Sequence, residues 1–302
     1  MHIKMKKLLF IFNPKAGAGD ICKNLGEVVD IFTKAGYEVV AYPTQAPGDG
    51  RQKVLEEGAG YDRIVTAGGD GILHEIVNAV LQLPNEVTVG YIPTGTINDF
   101  ATTHKIPKNN ILEAAKIAVS DRIVSIDVGK FNEEYFTYVA AFGIVTNVAY
   151  DTDQKAKKRW RILAYVANVI KCITPKKFKA ATRRVRVDTG EMVLQGDFVF
   201  GAVSNSLSIG SIKNLVDKET VLNDGLLEGL FIQRPKTLKD WDQIRKGLIT
   251  RDFSAAGMAF VRAKRFEITM ENTAWTLDGE NGGEHTHIVI SAEKQVLKVA
   301  LP

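Results

Sequence analysis

The chain reads as a two-part protein: an α/β N-terminal domain built on a parallel sheet, then a β-rich, antiparallel, sandwich-like second domain. Three observations predict this. Strand and helix patterns alternate over the first third, the order that builds a parallel sheet covered on both faces. After about Asp127 the texture changes to short strand patterns with turns between them. A turn of glycines and one carboxylate, Gly68-Gly69-Asp70-Gly71, lies directly behind the apolar run Ile64-Val65-Thr66, at the strand end where parallel sheets collect ligands.

In chain order, strands are expected at 8–12, 37–42, 64–66 and 87–92, and helices at 21–33, 72–83 and 111–119. The first helix shows Ile21, Leu25, Val28 and Phe32 at helical spacing. Behind the four strands come Asn13-Pro14-Lys15-Ala16-Gly17, Pro43-Thr44, Gly68 to Gly71 and Pro93-Thr94-Gly95-Thr96, four loops at one edge of one sheet. The second part is expected to have strands at 135–141, 185–188, 198–203, 226–232, 265–270, 286–291 and 296–301, with a helix around 238–248. Residues 1–128 then form a nucleotide-binding domain to which the final strand, 292–302, returns, and 129–291 a substrate domain. No internal repeat or low-complexity linker separates them, so the cleft between domains is the natural place for a site.

Composition excludes several classes. With 302 residues, 45% hydrophobic and 25% charged, the chain suits a soluble globular protein of one large or two moderate domains. The apolar run Leu8 to Phe12 behind the basic start is too short for a signal-peptide core, and no apolar run is long enough to span a bilayer. Cys22 and Cys172 alone build neither a disulfide framework nor a Cys-x-x-Cys metal site, so the cytoplasm is the expected compartment. There is no Gly-x-x-x-x-Gly-Lys-Ser/Thr. Cys22 stands where a dinucleotide fingerprint needs its third glycine, and the His-Arg-Asp and Asp-Phe-Gly pair of protein kinases is missing.

Charge is concentrated. Twelve of the 39 Lys and Arg fall between Gln154 and Val187, where there is no Asp or Glu; elsewhere acidic residues outnumber basic ones. Trp160 and the mostly apolar run Ile162 to Ile173 lie inside that segment. A cation-flanked amphipathic helix suits an anionic membrane surface, each nearby cation contributing about 1 kcal/mol; a core helix with solvated ends fits the same pattern. No nucleic-acid motif accompanies the charge. His285 and His287 share a strand face without a third ligand and read as an exposed pair, and His74 reads as a helix residue without a catalytic part.

Six motifs occur in order. They are Asn13-Pro-x-Ala-Gly17, Gly68-Gly-Asp-Gly71-x-x-x-Glu75, Pro93-x-Gly-Thr96-x-Asn98-Asp99-Phe100-Ala101, Ile126-Asp127-Val128-Gly129, Asp224-Gly-Leu-Leu227 and Leu277-Asp278-Gly279-Glu280. In this order, over nearly the whole chain, they resemble the diacylglycerol kinase catalytic-domain family, which includes soluble bacterial lipid kinases and, more distantly, sphingosine and ceramide kinases. The resemblance implies an N-terminal domain like those of NAD kinase and phosphofructokinase. It implies ATP- and Mg²⁺-dependent phosphorylation of a lipid hydroxyl, with diacylglycerol as the leading acceptor. The nucleotide site would lie at Asn13, Pro14, Lys15, Ala16 and Gly17 and at Gly68, Gly69, Asp70 and Gly71, held by backbone amides near these loops, with Glu75 and with hydroxyl contacts from Thr44 and Thr96. Asp70, Asp99 and Asp127 would form a carboxylate network for metal and phosphates, and Glu280 would be the general base. A structural Mg²⁺ would sit on Asp224 with the carbonyls of Val221 and Leu226.

Read alone, Asp99 also fits a helix cap, Asp127 a strand end, Glu280 a turn carboxylate and Asn223-Asp224-Gly225 an ordinary turn. Two departures from the family pattern stand out. Ile72 occupies a position commonly Thr or Ser in the bacterial kinases, and the stretch from Ser206 to Thr220 lacks the proline often seen before the aspartate at 224. The expected partner is a lipid at an anionic membrane surface, met peripherally through the basic segment from Lys155 to Arg186; no nucleic acid is expected, and the resemblance allows a homodimer. The alternatives are an NAD kinase-like enzyme, which shares the Gly-Gly-Asp-Gly turn, and a catalytically weak nucleotide-sensing protein at the membrane surface.

Overall fold

In the computed structural model, residues 5–143, 181–205, 208–209, 212–213, 223–250 and 252–302 are described. The chain divides into two units, residues 1–126 with 295–302, and residues 127–294. The first begins with strand β1 (Lys6–Phe12), a short 3₁₀ turn (Ala16–Gly19) and helices α1 (Asp20–Lys23) and α2 (Leu25–Lys34). Then come β2 (Tyr37–Pro43), α3 (Asp49–Glu57), β3 (Arg63–Gly68), α4 (Asp70–Val80) and β4 (Thr88–Pro93). Helices α5 (Asp99–Thr103) and α6 (Ile111–Ala118) and strand β5 (Ile123–Phe131), which runs into the second unit, complete it.

The sheet of this unit is parallel throughout, with β1 between β2 and β3 and β4 beyond β3. On the other side of β4 lies the end of the last strand, where Val299 pairs in parallel with Val89. Strands β3 and β4 are buried at every residue and β1 from Leu8 onward, as expected for strands covered on both faces. Phe10 of β1 meets Phe32 of α2 edge to face at 5.3 Å. Gly90 lets α6 settle directly on β4, since a Cβ there would lie 2.6 Å from the Ala118 carbonyl oxygen. The buried Arg63 donates to the carbonyls of Ala118 and Ser120, both at 2.9 Å, a cation on the last turn of α6 where the unpaired carbonyls gather.

The second unit holds β6 (Glu134–Phe136), β7 (Val139–Gly143), β8 (Arg183–Asp188), β9 (Val193–Ser204), the short pair β10 (Ser208–Ile209) and β11 (Ile212–Lys213), and β12 (Leu227–Gln233). Helix α7 (Leu238–Thr250) and strands β13 (Met258–Ala263), β14 (Arg265–Leu277) and β15 (Glu280–Ala300) follow. Pairing within this unit is antiparallel. β12 lies between β9 and β13. β8 joins the first half of β9 to β14, and β7 joins the second half of β9 to the end of β14. The core centres on the fully buried Trp275, whose ring lies 5.1 Å from Phe131 and 4.8 Å from Phe142. A second cluster under α7 packs Ile244 with Val199, Leu230 and Ile232.

Several expected elements are corrected. The helix over 21–33 is broken at Asn24, whose side-chain amide donates to the Asp20 carbonyl at 2.8 Å. Helix α3 was not anticipated, because only Gly50 and Val54 of its nine residues are buried and the apolar pattern is too thin to read. The strand over 135–141 splits into β6 and β7, the intervening amides of Thr137 and Tyr138 turning to the Asp278 carboxylate. The strands at 286–291 and 296–301 are parts of one strand, β15, which carries Gln295 at φ +53°. The apolar helix expected at 162–173 lies outside the described residues.

Glu228 on β12 is only 2% exposed. Burial pushes its carboxyl up to about 7, opposed by the Arg262 guanidinium 3.3 Å away. A carboxyl raised on folding contributes stability that is complete below its unfolded pKa and is lost as pH rises through the folded value. Native stability is therefore expected to fall by roughly 3 kcal/mol between about pH 4.5 and 7.5 through this group alone. Glu228→Gln should flatten that slope in urea titrations at a series of pH values, matching the native chain at pH 5 and exceeding it at pH 8. An unchanged slope would remove Glu228 as its source.

Candidate active site

In the first unit the four loops behind β1 to β4 are laced to one another by backbone hydrogen bonds. Thr44 N–H donates to Phe12 O (2.9 Å), Asn13 N–H to Ala67 O (3.0 Å), and Thr94 and Gly95 N–H both donate to Gly68 O (2.9 and 3.0 Å). The loops touch where side chains are missing. A Cβ on Gly95 would lie 2.4 Å from the Gly69 α-carbon, and one on Gly17, at φ +55°, would lie 2.4 Å from Thr94 O. Only glycine meets both the positive φ and the contact.

Asn98 enters α5 in the left-handed region, at φ +55° and ψ +59°. Its amide donates to Gly95 O at 2.8 Å, and the buried Tyr91 hydroxyl lies 3.1 Å from Gly68 O and 3.2 Å from Asn98 Oδ1. Burial, with Asp70 and Asp99 nearby, pushes the Tyr91 hydroxyl well above its ordinary pKa, so it remains a neutral donor. Asn98 and Tyr91 are thus supports of the glycine loops that motif reading passed over or left without a role. The signal available for Asn98 was the tolerance of asparagine for the left-handed region.

Asp70 heads α4, and its carboxylate accepts from the amides of Asp99 (3.1 Å) and Phe100 (3.4 Å), so it fixes the start of α5 and brings Asp99 beside it. Asp99 is wholly buried. Glu75 accepts from Gly48 N–H at 2.9 Å and so anchors the entry to α3. Asn13 Oδ1 accepts from Lys15 N–H at 2.9 Å and shapes the first loop. Thr44 Oγ1 lies 3.4 Å from Phe12 O, and Thr96 is exposed. Ile72 covers Gly68, where a Cβ would lie 2.5 Å from the Ile72 Cγ2; an apolar side chain at this place packs without a hydroxyl. Beside Gly17, Thr94 and Gly95 opens a cavity of about 560 Å³, lined also by Asp20, Asn24 and the segment Lys108–Leu112. None of the six motifs includes that segment.

In the second unit Asp127 is buried within β5 and held from three sides. Its amide donates to Asn223 Oδ1 (3.0 Å), its Oδ2 accepts from Gly225 N–H (2.7 Å) and its carbonyl accepts from the Asn205 amide (2.6 Å). Glu280 is exposed and follows the two-residue turn Asp278-Gly279, at φ +52° and +85°, in which Leu277 pairs with Glu280. Positive φ at both turn residues is the type I′ hairpin geometry that Asp-Gly favours. Asp278, however, faces inward. Its carboxylate accepts from the amides of Thr137 (2.7 Å), Tyr138 (2.9 Å) and Val139 (3.1 Å) and from the Thr137 hydroxyl (3.0 Å). The exposed Glu280 is therefore presented from an anchored turn.

Oxygen ligands are the set that Mg²⁺ takes, one or two carboxylates together with substrate phosphates. Asp70 and Asp99 in the first unit fit a metal of that kind. Among the described residues no group of three or more His, Cys, Asp or Glu could hold a metal ion by itself. At Asp224 both carboxylate oxygens already meet N–H donors, Oδ1 from Leu226 N–H at 2.9 Å and Oδ2 from Arg262 Nη2 at 2.5 Å. Val221 lies outside the described residues. His285 Nε2 lies 2.8 Å from Gly282 O, and His287 Nε2 lies 3.0 Å from Glu267 Oε1.

Residues 7–131 match the diacylglycerol kinase catalytic domain. The chain is 29% identical over 305 aligned positions to the diacylglycerol kinase of Bacillus subtilis (strain 168), covering 96% of this chain and 98% of the relative. It is 29% identical to that of Staphylococcus carnosus, over 92% and 90% of the two chains. A crystal structure of a diacylglycerol kinase from Bacillus anthracis str. Sterne superposes with a TM-score of 0.80 at 25% identity, over 99% of this chain and 98% of that one. Over residues 7–131 the chain thus carries the domain that the first four of its ordered motifs imply.

Two variants test the geometry. Gly95→Ala should force the glycine loops apart and weaken binding of an ATP analogue at least about tenfold by calorimetry, whereas Gly26→Ala, which meets open space in α2, should leave it unchanged; equal affinities would separate this contact from nucleotide binding. Asp278→Ala strands three buried amides and a hydroxyl. It should cost at least about 3 kcal/mol in urea unfolding, and a loss under 1 kcal/mol would show that water replaces the carboxylate.

Proposed function

We propose that this chain, a lipid kinase by its catalytic domain, transfers the γ-phosphoryl group of ATP to the hydroxyl of a membrane lipid, diacylglycerol, yielding phosphatidic acid. One observation carries the reading: the close approach of Gly95 to Gly69, beside Gly17, clears side chains from the entry to α4, a helix N-terminus of the kind that receives phosphates. An NAD kinase- and phosphofructokinase-like arrangement of the first unit belongs to the same reading.

Phosphoryl transfer needs positioning and charge stabilisation more than covalent chemistry. The backbone at Asn13 to Gly17 and Gly68 to Gly71 holds the phosphates, with Lys15 nearby and the hydroxyls of Thr44 and Thr96 as further donors. Mg²⁺ bound with the nucleotide supplies positive charge on the transferring group. Asp70 and Asp99 orient that charge, and Asp127 is the third carboxylate of the reading. Because each is gripped by backbone amides or buried, none must reorganise as the reaction proceeds. Glu280 accepts the proton from the attacking lipid hydroxyl. Glu75 acts at one remove, through the entry to α3.

The protein meets its substrate peripherally, on the cytoplasmic side of an anionic membrane. Among the described residues no helix is long and apolar enough to cross a membrane. Of the basic segment assigned to that surface, Arg183, Arg184 and Arg186 lie on β8, and residues 155–179 lie outside the described residues. No nucleic acid takes part, and a homodimer is compatible with the reading.

Label from γ-labelled ATP is expected in diacylglycerol presented in mixed micelles with Mg²⁺, against a panel of other lipid alcohols and NAD. Glu280→Gln should lower turnover by roughly 10²–10⁴-fold and leave the ATP dissociation constant within about twofold. A fully active variant would remove Glu280 as the base. Labelled NADP in place of a labelled lipid would move the chain to the NAD kinase class.

A further inference from the structure

The turn Asn223-Asp224-Gly225 does two things at once. Its flanking residues hold Asp127, through Asn223 Oδ1 and Gly225 N–H. Its central carboxylate faces the other way, to Arg262 on β13, with Nη2 to Oδ2 at 2.5 Å and Nε 3.3 Å from Glu228 Oε1. The backbone here is unusual: Asn223 has φ +90° and Gly225 +79°. Asparagine tolerates this region better than most residues, and the bond its side chain accepts from Asp127 N–H helps to hold it there. The Arg262 guanidinium sits across from Glu228 in the β12–β13 register and bridges the two carboxylates, Asp224 at the turn and Glu228 in the buried row.

A divalent cation at Asp224 would have to share the carboxylate with the Arg262 guanidinium, a positive charge already seated on Oδ2, while Leu226 N–H donates to Oδ1. The donor set therefore does not fit the structural Mg²⁺ expected at this aspartate. It fits a planar cation with several N–H donors, which can reach both carboxylates in fixed geometry where a hydrated ion demands near-octahedral oxygen.

We infer that Arg262 takes the place of a structural metal ion, and that by pinning Asp224 it acts as the positioning residue for Asp127. The importance of Asp127 rests on the lipid-kinase reading; the cation substitution does not. Removal of the guanidinium leaves Asp224 and Glu228 facing each other uncompensated, a pair of oxygen donors that should then recruit a divalent cation.

Mn²⁺ binding followed by electron paramagnetic resonance, without nucleotide, tests this independently of any activity. The native chain should hold no Mn²⁺ that Asp224→Asn removes. Arg262→Gln should gain a bound Mn²⁺. By hydrogen exchange, its amides at Asp127 and Gly225 should exchange at least about tenfold faster than native, slowing again when Mn²⁺ is added. Arg262→Lys, which keeps a charge but not the fork, should fall between. Mn²⁺ bound by the native chain and lost in Asp224→Asn would overturn the inference, as would unchanged exchange in a folded Arg262→Gln. If that variant does not fold, the comparison of native chain and Asp224→Asn decides alone. Loss of lipid phosphorylation in other assays would remove the significance of Asp127 and leave this result standing.

Discussion

The approach of Gly95 to Gly69 is the constraint on which the first unit depends. A Cβ on Gly95 would lie 2.4 Å from the Gly69 α-carbon and 2.6 Å from Asn98 Oδ1, so the loops behind β3 and β4 can meet only if that side chain is absent. Once they meet, Gly68 O receives the amides of Thr94 and Gly95, Asn98 turns its amide back to Gly95 O, and α5 begins where the Asp70 carboxylate can receive its first two amides. Each step positions the next. The outcome is a loop surface presenting backbone rather than side chains, the kind of surface that meets phosphate closely.

A second theme runs through both units. Acidic side chains that look like chemistry in a sequence are held by backbone amides in the structure: Asp70 at α5, Glu75 at the entry to α3, Asp127 at Gly225 and Asp278 at the start of β7. Charge-assisted bonds of this kind are stronger than neutral ones, and they fix a carboxylate's direction. For a phosphotransferase this is an advantage, because groups already oriented need not reorganise when charge develops. Glu280 is the contrast. It is exposed, and what is fixed is the turn that presents it rather than the carboxylate itself.

The Asp224 turn shows how one structural requirement can be met by different chemistry. Holding two carboxylates near each other requires positive charge, which either a metal ion or a guanidinium supplies. Arg262 contributes it from the strand opposite Glu228, and a side chain is present whatever the free concentration of any ion, whereas the occupancy of a metal site follows that concentration.

The sequence by itself determined the alternation of strands and helices in the first unit, because burial on both faces of a parallel sheet writes itself as continuous apolar runs. It also determined the six ordered motifs, because tight backbone turns admit few residue types. It did not determine the breaks and joins: the split at Asn24, the separation of β6 from β7, the union of the last two strands and the thinly apolar helix α3. Some of these are decided by a partner distant in sequence, such as Asp278, 139 residues or more from the amides of Thr137 to Val139 that it holds, some by a single local bond, such as that from the Asn24 side chain to Asp20 O, and some by exposure that leaves no periodic pattern. The same holds for the site. Glycines and carboxylates were legible as residue types, whereas the supports Tyr91, Asn205 and Arg262 were not. Their roles consist only in where folding places one polar atom against another, and that placement is a property of the tertiary structure alone.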